Sequence, residues 1–468
     1  LNGTGMTSFL KQLKPSTIHD INAMVALYRP GPMESIPDYI ERKHNAALIT
    51  FLDPRLEKIL DRSYGVITYQ DDVMMISIAL AGYSWLDADK LRKAMGKKIP
   101  EVMEAEKAKL MDGFRDYGKL TPSVADKLWK LIEPFAAYGF NKAHAASYGR
   151  VAYQTAFMKA NFPSEYMAAV LTADSGDTEK ISEIIHECER MGLEVLPPDI
   201  NESFAPFSVV PAKDGEDAKI RFGLTTIKNF GEGIADAIIL ERKEGGDFTS
   251  LTDLLLRVHD KNLNKKSMEA LIMTAALDRF EERGKMHENI ENLLAFNKEH
   301  IAGKAANQDS LFGGLDTAIN ELTMFDVDPV SKEQKLIWEK ELLGVYVSGH
   351  PLDKYEKELS SRGTVTDARN ARKGQEVKTA GMIESVKELL TKKGDRMAFV
   401  KLVSLTDSIE MVAFPEVFQN NHDILTPGAC VAVKGKLSIR NDEPGILIDK
   451  LKSLAPKEEM PDTSIENV

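Results

Sequence analysis

Three residues able to grip a phosphate, Asn141, Lys142 and His144, stand together in the run Phe-Ala-Ala-Tyr-Gly-Phe-Asn-Lys-Ala-His-Ala-Ala-Ser-Tyr-Gly-Arg from Phe135 to Arg150. They fall where a helix is expected to start. A helix start carries unpaired N–H groups and partial positive charge, which suits an anion, and an adjacent Lys and His reinforce it. Two readings stand at this point: a helix start with ordinary polar caps, or a site that holds a polyphosphate or a nucleic-acid backbone.

A second basic cluster lies at 87–98. Asp87 is the expected N-cap, and Leu91, Ala94 and Met95 give an apolar face at i, i+3, i+4. Lys90, Lys93 and Lys97 share another side, flanked by Arg92 and Lys98, so five cations fall within nine residues. They either solvate a surface and complement the helix C-terminus or contact a triphosphate or nucleic-acid backbone, as point charges and one planar fork. Beyond His144, the residues Ser147, Tyr148, Val151, Thr155 and Met158 lie with it on one side of a helix; from Val151 to Met158 that stripe reads as core.

Ile227-Lys228-Asn229-Phe230-Gly231-Glu232-Gly233-Ile234 reads as a helix–hairpin–helix turn. Gly231 and Gly233 let backbone N–H groups approach a DNA phosphate, Lys228 adds charge, and Ala235–Lys243 continues as helix. Asn264-Lys265-Lys266-Ser267 before Met268–Ala276 reads as a second, less regular copy. Glu232 is mildly repulsive to phosphate. The plain alternative is a glycine that caps a helix; the functional one is a grip on duplex backbone that reads no sequence.

The elements that must position these residues follow from pattern. Residues 1–175 read mostly helical, with Tyr64–Tyr69 a short strand candidate. A helix from about Thr178 to Met191 breaks at Pro197-Pro198, residues 200–225 look extended, and short helices return from Ile227 to Phe280. Residues 281–345 mix helix and linker. From Glu376 to Leu451, five β-rich runs separated by turn residues suit a small Greek-key barrel such as an OB-fold. There Lys392, Lys393 and Arg396, with Phe399 and Phe414, are candidates to hold a single strand, although either Phe can instead be core. The polar tail 457–468 is expected to be disordered.

Composition bounds the rest. The 468 residues suffice for about three domains, and 43% apolar with 28% charged residues fits ordinary globular domains. No apolar run approaches the ~20 residues of a membrane span, and no signal peptide is visible, so a cytoplasmic protein is expected. Two cysteines, Cys188 and Cys430, point to a reducing compartment and away from a zinc site built on Cys pairs. A net charge of −12 excludes a generic nucleic-acid coat and leaves phosphate binding to local patches. Leu1-Asn2-Gly3-Thr4-Gly5 lacks an initiator Met, and we read the chain as a fragment of a longer one.

Several segments together resemble the alpha subunit of bacterial DNA polymerase III, the C-family replicative polymerase: Ala26-Leu27-Tyr28-Arg29-Pro30-Gly31-Pro32, Tyr64-Gly65-Val66-Ile67-Thr68-Tyr69-Gln70, Leu91-Arg92-Lys93-Ala94-Met95-Gly96-Lys97-Lys98, Tyr138–His144 and Leu196-Pro197-Pro198-Asp199-Ile200-Asn201. The resemblance covers nearly the whole chain and implies the C-terminal half of that family. The implied fold is multidomain α+β: helical fingers, a tandem helix–hairpin–helix domain and a C-terminal OB-fold β-barrel. The implied boundaries are the end of the palm at 1–20, fingers at 21–175, a helix–hairpin–helix duplex-binding domain at 176–300, a clamp-binding linker at 301–345, the OB-fold at 346–456 and a disordered tail at 457–468.

What the resemblance implies about function is a DNA-directed DNA polymerase that extends primers with dNTPs. Arg92, Lys93, Lys97 and Lys98 sit in the motif expected to hold the triphosphate, and Asn141, Lys142 and His144 in a second fingers motif near it. Gln308-Asp309-Ser310-Leu311-Phe312 resembles the clamp-binding peptide of bacterial polymerases, with Leu311 and Phe312 entering an apolar cleft of the sliding clamp. Other replisome subunits are possible partners; a membrane is not. Mg²⁺ is implied for the parent enzyme and is bound outside this chain, because the family's catalytic carboxylates lie in the palm, upstream of Leu1. Asp71-Asp72 is assigned no metal, and the fragment alone is expected to be inactive. The rivals are a non-catalytic scaffold that binds DNA and the clamp, and an OB-containing nucleic-acid enzyme of unrelated family.

Overall fold

Caps decide where the first helices begin. In the computed structural model, the Thr17 hydroxyl accepts from the Asp20 amide, while the Asp20 carboxylate accepts from the Ser16 and Thr17 amides. This reciprocal box separates α1 (Thr4–Leu13) from α2 (Ile18–Leu27). The structure describes residues 1, 3–97, 100–212, 217–308, 322–355, 359, 363–391, 393–404, 407–440 and 443–454, with the backbone alone at 96–97, 100–102, 134–138 and 302–308. The chain divides into two compact units, residues 1–166 and 167–468.

In the first unit, α3 (Ile36–His44) and the single turn α4 (Glu57–Leu60) lead to α5 (Gln70–Ala81). The segment Tyr64–Tyr69, a strand candidate from sequence, is a turn instead. Tyr64 and Gly65 both take positive φ, 54° and 79°, and the Tyr64 hydroxyl donates to Asp20 Oδ1 at 3.0 Å. β-branched residues there pack into the core rather than into a sheet, since Val66 and Ile67 are buried. Then follow α6 (Trp85–Lys97), α7 (Pro100–Asp116), α8 (Pro122–Tyr138) and α9 (Lys142–Asn161). Helix α5 packs on α6 and α7, and α8 packs on both of those. Their shared core holds Leu80, Leu91, Leu110, Phe114, Leu128 and Ile132. Helix α9 packs on α2, and α10 (Pro163–Ala173) follows it.

The second unit takes in most of α10 and continues with α11 (Thr178–Arg190) and a three-stranded sheet of β1 (Val195–Leu196), β2 (Ser208–Val210) and β3 (Lys219–Arg221), in the order β1-β3-β2. Short helices follow: α12 (Glu232–Gly245), α13 (Leu251–Arg257), α14 (Lys265–Met273), α15 (Arg283–Glu288), α16 (Ile290–Gln308) and α17 (Lys332–Leu343). A buried ion pair joins two of them. Arg283 of α15 meets Glu339 of α17 at 2.7 Å, and both are almost fully buried. Glu339 also accepts from the Val347 and Ser348 amides, at 2.8 and 3.1 Å, so both carboxylate oxygens are satisfied.

Five strands then close a barrel in the order β4-β5-β6-β8-β7: β4 (Glu376–Leu390), β5 (Arg396–Val403), β6 (Ser408–Ala413), β7 (Cys430–Arg440) and β8 (Glu443–Ser453). The one parallel pairing, β6 with β8, closes it, which is the OB-fold arrangement expected from the sequence. Alternating residues such as Ala398, Val400, Leu402, Met411 and Ile446 fill the interior. Among the described residues, no helix is long and apolar enough to cross a membrane.

Candidate nucleotide and nucleic-acid interface

The start of α9 is built as the residue types suggest. Asn141 is its N-cap and accepts from the His144 amide at 3.0 Å. The Lys142 amide donates to Asp71 Oδ2 at 2.9 Å, and the Gln70 amide donates to the Phe140 carbonyl at 3.0 Å. The first turn of α5 and the first turn of α9 are thereby tied together. Asn141, Lys142 and His144 remain exposed. Lys142 Nζ lies 3.9 Å from Asp72 Oδ1 and 5.3 Å from the Tyr69 ring centroid.

Aromatic contacts brace the same end. The Arg29 guanidinium lies 4.0 Å from the Phe140 ring centroid; Phe140 meets His144 edge-on at 5.0 Å, and His144 lies 4.4 Å from Tyr148. Arg29 is exposed and was not singled out as a site residue from sequence. Its signal was there, in the Arg29-Pro30-Gly31-Pro32 segment, but only the fold shows it stacked on the residue before the cap.

The stripe from Val151 to Met158, expected to be core, is exposed: Val151 is 57% and Met158 40% accessible, as are Tyr153 and Phe157 to similar degrees. The reason is the contact with α2. Ala145 and Gly149, four residues apart, are the buried pair of α9. A Cβ at Gly149 would collide with Asn22 Oδ1. The helices therefore meet along α9's small residues, and its large apolar residues point away.

On α6 the apolar face is buried as patterned, at Leu91, Ala94 and Met95. The cap differs. The Ser84 hydroxyl accepts from the Asp87 amide at 3.2 Å, so Ser84 precedes the helix and Asp87 lies inside the first turn, bound to Lys109 at 2.8 Å. That bond to Lys109, with the Ser84 hydroxyl next, holds the Asp87 carboxyl down to about 2. The cations are also not free: Arg92 donates twice to Asp89 Oδ1, at 3.0 and 2.7 Å, and Lys93 reaches Asp89 Oδ2 at 2.7 Å. Sequence reading counted the five cations and passed over the acid among them. Lys97 is described in backbone only, and Lys98 lies outside the described residues.

Asp71 and Asp72 have structural work. Asp72 Oδ2 accepts from the Thr68 and Tyr69 amides at 3.0 and 2.9 Å. Burial raises its carboxyl to about 6, against those amides and Lys142. Among the described residues no group of three or more His, Cys, Asp or Glu is arranged to hold a metal ion. With both carboxylates bound to backbone amides, this pair does not fit a metal.

In the second unit, Lys228 and Gly231 lie exposed just ahead of α12, and Gly233 is exposed in its first turn. Gly231 is its N-cap, with open space where a Cβ would stand; at Gly233 a Cβ would meet only Asn262 Nδ2, at 3.3 Å. The left-handed residue of the turn is Asn229, φ 71°, rather than a glycine. The Lys228 amide is committed to the Leu342 carbonyl at 3.0 Å. Lys265 and Lys266 are exposed in the first turn of α14, behind a capping box made by Asn264 and Ser267. The structure thus sets Gly233 beside Asn262, which precedes the second basic turn.

On the barrel, Lys393 sits exposed in the β4–β5 turn and Arg396 opens β5, 3.7 Å from Glu388. Lys392 lies outside the described residues, as do Asp309, Ser310, Leu311 and Phe312; Gln308 ends α16 and is described in backbone only. Phe414 is exposed and Phe399 half-buried, and neither belongs to the barrel core. Phe399 instead lies beside Lys387 and Val412 on neighbouring strands.

Helical, hairpin and barrel modules follow one another in this chain, and each opens basic residues to solvent. Residues 1–118 match the bacterial DNA polymerase III alpha subunit finger domain, 192–286 a helix-hairpin-helix motif and 377–454 an OB-fold nucleic acid binding domain. The DNA polymerase III alpha subunit of Borreliella burgdorferi is 38% identical over 99% of this chain and 40% of its own length. That of Pseudomonas aeruginosa is 39% identical over 94% of this chain and 39% of its own, and that of Escherichia coli K12 35% identical over 95% and 39%. The chain belongs to the bacterial DNA polymerase III alpha family and spans about 40% of the length of these relatives.

Proposed function

We propose that this chain is part of a replicative DNA-directed DNA polymerase, a nucleotidyltransferase that extends primers with dNTPs in the cytoplasm. In this reading residues 21–175 are fingers that hold the incoming nucleotide, 176–300 grip duplex DNA, 301–345 tether the sliding clamp and 346–456 form the OB module; residues 1–20 end the palm. The observation that carries it is the open start of α9: a capped helix end with exposed Asn141, Lys142 and His144, tied to the first turn of α5. The connection from α5 to α6 is only Gly82–Ser84. Packed helices so joined run antiparallel, which supports bringing the C-terminal cations of α6 toward that same end.

The chain's own residues would bind and orient. The Lys142 ammonium, at the positive end of α9, donates to phosphate oxygens, and Arg92 and Lys93 neutralise charge that spreads over them during phosphoryl transfer. A divalent metal supplies activation of the attacking and leaving oxygens in such enzymes. Asp71 and Asp72 do not fit that role, so Mg²⁺ is assigned to a part of the polymerase outside this chain, and no step is derived through it.

Primer extension by the full-length protein tests the nucleotide site. Arg92→Ala and Lys142→Ala are each expected to raise the KM for dNTP about tenfold, the loss of one charge-assisted contact. An unchanged KM in both variants removes the site. For the tether, Leu311→Ala with Phe312→Ala should abolish pull-down of the clamp and leave duplex binding intact; retained pull-down removes it.

A further inference from the structure

Two large apolar side chains open α6. Trp85 and Leu86 are each 66% exposed, while Ala88, Leu91, Ala94 and Met95 of the same helix are buried. A helix that already buries its apolar face has no packing reason to present an indole on the other side. No described ring or cation covers Trp85. At 3.6 residues per turn, Trp85, Asp89 and Arg92 form one row, and Leu86, Lys90 and Lys93 the row beside it. Both rows begin apolar and continue polar and cationic.

That order of surfaces complements a strand of nucleic acid, which offers flat apolar bases beside a charged backbone. The seven steps from Trp85 to Arg92 rise about 10 Å, which is about three nucleotide steps of a stacked strand. We propose that Trp85 is a stacking platform for an unpaired base of a nucleic-acid strand whose backbone runs past Lys90, Arg92 and Lys93. The inference rests on the reading of α6 as a phosphate-binding helix. Asp89 holds Arg92 and Lys93 in place when no strand is present, and backbone phosphate takes over its two cations when one arrives. A membrane surface fits poorly, because the face continues as cations rather than as a broad apolar stripe.

The chain's other two tryptophans are less open: Trp129 is 8% exposed and Trp338 is half-buried. A base stacked on an indole quenches its emission, and of the three indoles Trp85 is the most open to one. Titration of the full chain with (dT)12 should give saturable quenching that Trp85→Phe removes. Its midpoint should move about tenfold in Arg92→Ala/Lys93→Ala. No quenching, or quenching that survives Trp85→Phe, overturns the platform and leaves the dNTP assay of the nucleotide site standing. Quenching by Trp85 with an unmoved midpoint overturns the role of the α6 cations. Equal quenching by dTTP alone overturns the strand in favour of a single nucleotide.

Discussion

Asp72 is the carboxylate whose position has the clearest consequence for pH. Burial is the largest influence on it and raises its pKa from 3.8 to about 6. The folded chain therefore binds more protons than the unfolded chain between those values. Stability should fall as pH rises through that window and level off above it, by an amount on the order of 3 kcal/mol. Asp72→Asn keeps an acceptor for the Thr68 and Tyr69 amides and should flatten the slope; urea unfolding at pH 4, 5, 6 and 7 measures it, and an unchanged slope assigns the effect elsewhere. Asp89 makes a second prediction. It neutralises part of the α6 cluster through exposed pairs that salt screens. Asp89→Asn should tighten binding of (dT)12 about two- to fivefold at low salt, with a steeper salt dependence. Both acids are plain in the sequence. Their partners are not, because a capping carboxylate and a surface counter-ion differ only in where neighbouring backbone and side chains lie.

At the scale of elements, the hairpins and the α15–α17 link carry the tests. Lys266→Ala should weaken duplex binding regardless of sequence and lower the salt slope by about 1; a specificity change without a slope change would argue against a phosphate contact. Glu339→Ala leaves Arg283 Nη1 and the Val347 and Ser348 amides without their acceptor, while Asp278 still holds Arg283 Nε and Nη2, and should cost about 1–3 kcal/mol in denaturant unfolding. Much of this level was legible. Capping residues at Asn141 and Asn264, and the β-rich runs between Glu376 and Leu451, announce their elements locally. The Tyr64–Tyr69 turn was not, since residues of strand character there were recruited to a helical core.

Across the whole molecule, a net charge of −12 opposes long-range attraction to DNA, so binding must come from short-range patches and salt-sensitive contacts. Helix α9 adds an exposed row of Tyr153, Phe157 and Met158, which favours self-association at high concentration. Sedimentation velocity should show association that Tyr153→Ser with Phe157→Ser reduces; equal association in both chains would place the contact elsewhere. The sequence by itself determined most of the helices and the barrel strands, where the basic clusters lie and which family pattern they follow, because periodicity, caps and motif spacing are local properties. The tertiary structure alone decided that α9 turns its small residues inward and its aromatic ones outward, that Asp89 occupies two of the expected phosphate cations, and that Arg29 stacks on Phe140. Those outcomes depend on which helix approaches which face and how closely, and contacts between residues far apart in the chain leave no period in the sequence.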